Sequence, residues 1–111
     1  MKAETLNLRE HETIIEEKKG DTWKIPELPY KKQISGKFYF TNQRIAFRTW
    51  GAFKKSAAYD IEYKDIDSLN PFSINFFIKT GIQITVFNGD VYKISVMKRN
   101  KIMEMISNYL R

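Results

Sequence analysis

The 111-residue sequence contains no cysteine, which excludes a disulfide framework and thiolate chemistry. Its single histidine, His11, stands in the N-terminal segment. No serine has an identifiable base nearby, so nucleophilic and general-base catalysis lack their parts. The five glycines form no phosphate-cradling loop, and the carboxylates Asp60, Glu62, Asp65 and Asp67 lack the calcium-loop spacing with its central glycine. They read as a solvated strand face. A non-enzyme without cofactor, metal or small-molecule substrate is the expectation. No apolar run approaches the length that crosses a bilayer, and the start MKAETLNLRE has no signal-peptide core. A cytoplasmic protein is expected.

What is present is positive charge, unevenly placed. Nineteen basic and 13 acidic residues give +6. Residues 21–55 alone hold eight basic against two acidic side chains, whereas residues 56–70 carry a net acidic excess. A basic segment suits an anionic partner such as a membrane surface, nucleic acid or an acidic protein. Lysines merely scattered over a solvated surface are the plainer alternative.

The central stretch GKFYFTNQRIAF, Gly36 to Phe47, reads as a β-hairpin. Ile34, Gly36, Phe38 and Phe40 alternate onto one face, as do Ile45 and Phe47 on the second strand, the period of a half-buried strand. A two-residue Asn42-Gln43 turn sets Phe40 opposite Ile45 and Phe38 opposite Phe47, so the apolar faces coincide. The same register sets Lys37 opposite Arg48, an unfavourable pair of like charges. Asp60 or Glu62 on the following strand would neutralise it. Arg44 reads as structural.

Before the hairpin, residues 1–11 are mostly polar, with Leu6 and Leu8 expected against the body. Glu12 to Lys19 reads as a first strand ending near Gly20, and Asp21 to Gln33, with Pro26 and Pro29, as an ordered loop. After the hairpin come a loop over Thr49–Lys55, a fourth strand over Ser56–Tyr63 and a fifth over Ile66–Phe72, damaged by Pro71. A loop follows over Asn75–Gly81. In the last hairpin Ile82, Ile84 and Val86 match Tyr92, Ile94 and Val96 only across a three-residue loop, which calls for a bulged turn with Gly89 left-handed. From Lys98 onward, Ile102, Met105, Ile106, Tyr109 and Leu110 recur at helical spacing.

Seven strands and a C-terminal helix with these motifs resemble the GRAM branch of the pleckstrin-homology (PH)-like superfold, in particular small stand-alone bacterial members. The resemblance rests on LNLREHETIIEE, on the hairpin with Gly36, Thr41, Asn42, Arg44 and Phe47, on YKDIDSL, and on NFFIKTGIQITVFNGDVYKISV. It spans Leu6 to Leu110. His11 departs from it, because similar sequences often have glycine there. The resemblance implies one domain over residues 6–111, with 1–5 as a tail, folded as a mainly β, partly open seven-stranded antiparallel barrel capped by the helix. It also implies a non-catalytic adaptor that binds membrane lipid or protein.

In an antiparallel meander the loops after the first and third strands emerge at one end. That end gathers Trp23, Lys24, Lys31, Lys32, Trp50, Phe53, Lys54 and Lys55, with Lys37 and Arg48 nearby. Aromatic rings among cations suit weak peripheral binding to anionic lipid. The alternative for Trp23 and Trp50 is that they plug the barrel end. A second functional reading is a protein-interaction or self-assembly module using Phe76, Phe77, Ile78, Trp50 and Phe53, or open strand edges. Nucleic acid ranks third, since no RNP-like or helix-turn-helix signature is present.

Overall fold

A computed structural model describes residues 6–23, 33–49, 58–73 and 79–110. The strands are β1 (Ile14–Trp23), β2 (Ile34–Thr41), β3 (Arg44–Thr49), β4 (Tyr59–Glu62), β5 (Ile66–Phe72), β6 (Gly81–Val86) and β7 (Val91–Val96), followed by helix α1 (Arg99–Ser107). They form one antiparallel sheet in the order β4-β3-β2-β1-β7-β6-β5. The sheet curls into a half-barrel, and among the described residues β4 and β5 are its edge strands. A 3-10 turn over Tyr63–Asp65 carries the chain from one edge to the other.

The registers follow from matching apolar faces. Phe38 meets Phe47 and Phe40 meets Ile45 across β2 and β3, and all four are fully buried with Ile82, Ile84 and Ile94 from the other half of the sheet. Complete burial of side chains of this size contributes roughly 1.5–3 kcal/mol each, so a slip by one residue is strongly disfavoured. In the last hairpin Ile84 pairs with Tyr92, Gly89 takes φ 97°, and the Val86 amide donates to the Asp90 carbonyl at 3.0 Å. This is the three-residue loop that the side-chain pattern demands. Helix α1 buries Ile102 and Ile106 in the core. Tyr109 and Leu110 lie beyond its end and pack on the core partly buried.

Several boundaries differ from the sequence reading. β1 starts two residues later and runs on to Trp23, because β7 pairs with its final residues, Gly20 to Trp23. β4 is confined to Tyr59–Glu62, with Tyr63 in the 3-10 turn; Ser56 and Ala57 lie outside the described residues. β5 continues through Pro71, which an edge strand tolerates because the missing N–H can face solvent. Leu6 is buried, but Leu8 is half exposed.

Candidate functional site

The most specific motif of the sequence, Thr41-Asn42-Gln43-Arg44, holds the segment that precedes β1. Asn42 Oδ1 accepts the Thr13 amide at 2.9 Å and Asn42 Nδ2 donates to the His11 carbonyl at 3.0 Å. Gln43 Nε2 donates to the Glu10 carbonyl at 3.0 Å. Arg44 donates from Nε to Glu12 Oε2 at 2.7 Å and from Nη2 to Glu12 Oε1 at 3.0 Å and to the Asn7 carbonyl at 3.0 Å. The Glu12 carboxylate also accepts the Thr41 hydroxyl at 2.7 Å and the Arg9 amide at 2.9 Å. Its side chain is fully buried and that of Arg44 is 5% exposed. The Arg44 guanidinium pulls the Glu12 carboxyl down to about 2, against the opposing effect of burial. Arg9 closes the same region with a two-pronged contact to Glu62 at 2.7 and 2.5 Å. Arg44 is therefore structural, as its place in the hairpin suggests. Glu12 is the partner that sequence reasoning missed.

His11 sits at φ 62°, in a turn closed by the Glu12 amide on the Arg9 carbonyl at 3.1 Å. A side chain there strains the left-handed backbone that glycine adopts freely. His11→Gly is expected to raise stability by about 0.5–1 kcal/mol, read as a higher urea midpoint at unchanged m-value.

Lys37 and Arg48 do lie directly opposite one another. Each has a carboxylate partner: Glu17 of β1 for Lys37 at 2.5 Å, and Asp60 of β4 for Arg48 at 3.1 Å. Asp60 thus supplies the compensation anticipated on the fourth strand, while Glu62 is engaged by Arg9 instead. Of the sequence-selected cations and aromatics, Lys24, Lys31, Lys32, Trp50, Phe53, Lys54 and Lys55 lie outside the described residues, as do Phe76, Phe77 and Ile78. Trp23 does not plug the barrel. It is half-buried on the outer face, its ring edge-on to Phe72 at 5.7 Å, because its neighbour Thr22 takes the inward position and is fully buried.

The concave regions among the described residues include two that bear on function. One, about 380 Å³, opens beside edge strand β4 and is lined by Asp60, Glu62, Asp65, Tyr92 and the largely exposed Phe87, among others. The other, about 270 Å³, lies where β6 begins and α1 starts, and is lined by Lys79, Thr80, Lys98, Arg99, Asn100 and Lys101. The sequence separates its two halves by some twenty residues. The β6–β7 register, with Gly81 opposite Ser95, joins them. No cluster of metal-ligating side chains is found among the described residues, and no described helix is long and apolar enough to cross a membrane.

No family model matches the chain, and no curated protein matches it in sequence. Solved structures do match. The Vps36 N-terminal PH domain superposes with a TM-score of 0.67 over 94% of this chain and 83% of its own, at 17% identity. The fold is PH-like. The C-terminal domain of an unknown protein from Leishmania infantum superposes similarly, with a TM-score of 0.70 over 91% of this chain and 86% of its own, at 16% identity. In this PH-like domain the hairpin motif anchors the N-terminal segment.

Proposed function

We propose that the chain is a non-catalytic binding module of GRAM type that docks weakly and peripherally on anionic membrane lipid. The observation that carries this reading is the strand register. Thr22 pairs with Ile34, Gly36 with Thr49, and Phe47 with Tyr59, so residues 24–33 and 50–58 spring from neighbouring strand ends. Those two segments hold Lys24, Lys31, Lys32, Trp50, Phe53, Lys54 and Lys55. Lys37 and Arg48, already paired with carboxylates, play a lesser part. Each cation near an anionic surface contributes about 1 kcal/mol; five would give about 5 kcal/mol, a dissociation constant of a few hundred micromolar. Useful binding then requires several copies or a second anchor.

Co-sedimentation with vesicles tests this. Binding is expected only with anionic lipid, weaker at physiological than at low salt, and reduced by Trp50→Ala and by Lys54→Ala/Lys55→Ala. Absence of binding at any salt would remove the membrane reading. A protein-interaction or self-assembly module is the second reading, favoured by exposed Phe87 beside the edge strand β4. It predicts a salt-insensitive oligomer or complex.

A further inference from the structure

Edge strand β4 has β3 as its one strand neighbour among the described residues. The Tyr63 amide donates to the Gln43 carbonyl at 3.2 Å on the β3 side. The alternation of the ladder therefore turns the Asp60 and Glu62 amides the other way, out from the sheet. Outward amides are a template on which a further strand can pair. Beside them lies the cleft of about 380 Å³ between β4 and the turn after β6. Its floor is apolar, with Ile61, Val86 and Tyr92 buried. Phe87 forms a wall at 70% exposure, and its place is fixed because its amide donates to the Asp65 carbonyl at 2.9 Å. An aromatic ring held in water beside a strand edge gains from being covered.

Charge decides what covers it. The cleft is lined by three carboxylates, Asp60, Glu62 and Asp65, and by no cation, in a chain of net charge +6. Arg44 and Arg48 hold Asp60, and Arg9 holds Glu62. Asp65 is left without an ion pair among the described residues. A second copy of β4 is a poor partner. Side chains alternate along both strands, so pairing two such edges sets Asp60 or Glu62 of one copy against Asp60 or Glu62 of the other, and like charges directly opposite are unfavourable. The pattern of β4 specifies a better one: Ile61 is buried, and its neighbours Asp60 and Glu62 share the outer face. A strand laid along β4 places one side chain level with Ile61, over the cleft floor, and its two flanking residues level with Asp60 and Glu62.

We propose that β4 takes up, as an added strand, an extended basic segment of another protein in which cationic residues alternate with apolar ones. The apolar residue fills the cleft against Ile61, Tyr92 and Phe87, and the cations meet Asp60, Glu62 and Asp65. The proposal rests on the reading of the chain as a protein-interaction module and names the chemistry of its partner.

The test is an amide chemical-shift titration of the whole chain with the capped peptide Lys-Val-Lys-Val-Lys. Saturable shifts are expected at Asp60, Glu62, Phe87 and Asn88. Lys-Lys-Lys-Val-Val, with the same composition and no alternation, should bind far more weakly, and so should Glu-Val-Glu-Val-Glu. The amides of an added strand point alternately toward and away from β4. N-methylation of one set, lysines or valines, should therefore abolish binding, while methylation of the other set leaves it intact. Phe87→Ser should weaken binding about tenfold or more and Asp65→Asn about threefold, both with native spectra because each side chain is exposed. Binding indifferent to alternation, to charge or to both methylations would overturn the proposal. Sedimentation of the chain alone, with and without Phe87→Ser, separates this site from the wider reading. A salt-insensitive oligomer that survives Phe87→Ser, with no peptide bound, would overturn the proposal and leave the interaction module standing. An oligomer that Phe87→Ser dissolves would put a second copy on β4 and overturn it as well. A monomer that binds no peptide would overturn it and leave only the membrane reading.

Discussion

Arg44→Met is expected to lower the unfolding free energy by about 3–5 kcal/mol at neutral pH, the usual cost of orphaning one member of a buried ion pair. The loss arises because Glu12 stays behind, buried and charged, with only the Thr41 hydroxyl and the Arg9 amide to answer it. Removing both charges in Glu12→Leu/Arg44→Met should recover much of the loss, since the two-sided deletion leaves no unpaired carboxylate. Urea denaturation of the wild type and the variants measures both effects.

The same pair gives a pH signature of definite sign. The folded-state value of Glu12 is about 2 against an ordinary 4.5. As pH falls below 4.5 the unfolded chain takes up the proton first, so stability from this pair is complete above that value and lost progressively toward pH 2. The wild type should shed on the order of 2–3 kcal/mol through this window, and Arg44→Met, which lacks the pair, much less. Stability curves for the two that stay parallel down to pH 2 would show that the pair contributes nothing.

Gly20→Val is expected to cost about 3 kcal/mol or more, the upper range for forcing atoms into a packed sheet. Gly20 is where β1, already paired with Gly36 of β2, acquires Val96 of β7 as a second neighbour. A Cβ at that point would stand 2.3 Å from the Ser95 carbonyl oxygen and 3.0 Å from both the Phe38 ring and Val96 Cγ1. The obstacle is backbone, which cannot swing aside as a side chain would. Gly89→Ala makes an instructive contrast, because nothing lies within 4 Å of its added Cβ. Its cost is that of a left-handed φ alone, about 1 kcal/mol. Thermal or urea unfolding should rank Gly20→Val well below Gly89→Ala, and equal stabilities would contradict the close approach.

The two hairpins were legible because period-two alternation and turn length admit only one register each. Phe38 opposite Phe47 and the even-to-even pairing of Ile84 with Tyr92 follow from that constraint alone. Glu12 was illegible for the opposite reason. A glutamate among polar neighbours carries no sign of burial, and its partner Arg44 is distant in sequence. The sequence puts Trp23 in a loop because a strand that starts at Glu12 reaches its natural break at Gly20, whereas pairing with β7, a strand encoded near the other end of the chain, extends β1 to Trp23. The basic pocket hid for a related reason: Lys79 and the Lys98-to-Lys101 segment meet only once β6 and β7 pair. The residues with the most specific spacing, Thr41, Asn42 and Arg44, turn their polar groups inward to the N-terminal segment. Motif specificity here reflects architecture.

The most direct test of the proposal that the hairpin motif holds the fold while the loops after β1 and β3 meet anionic lipid is a residue-resolved map of where vesicles touch the chain. Amide line broadening is measured as anionic vesicles are added to the isotope-labelled chain at low salt. Broadening confined to the segments 24–32 and 50–55, with the Asn42-Gln43 turn unaffected, is the predicted result. Broadening centred on the Asn42-Gln43 turn or on β4, or none at all, would contradict it.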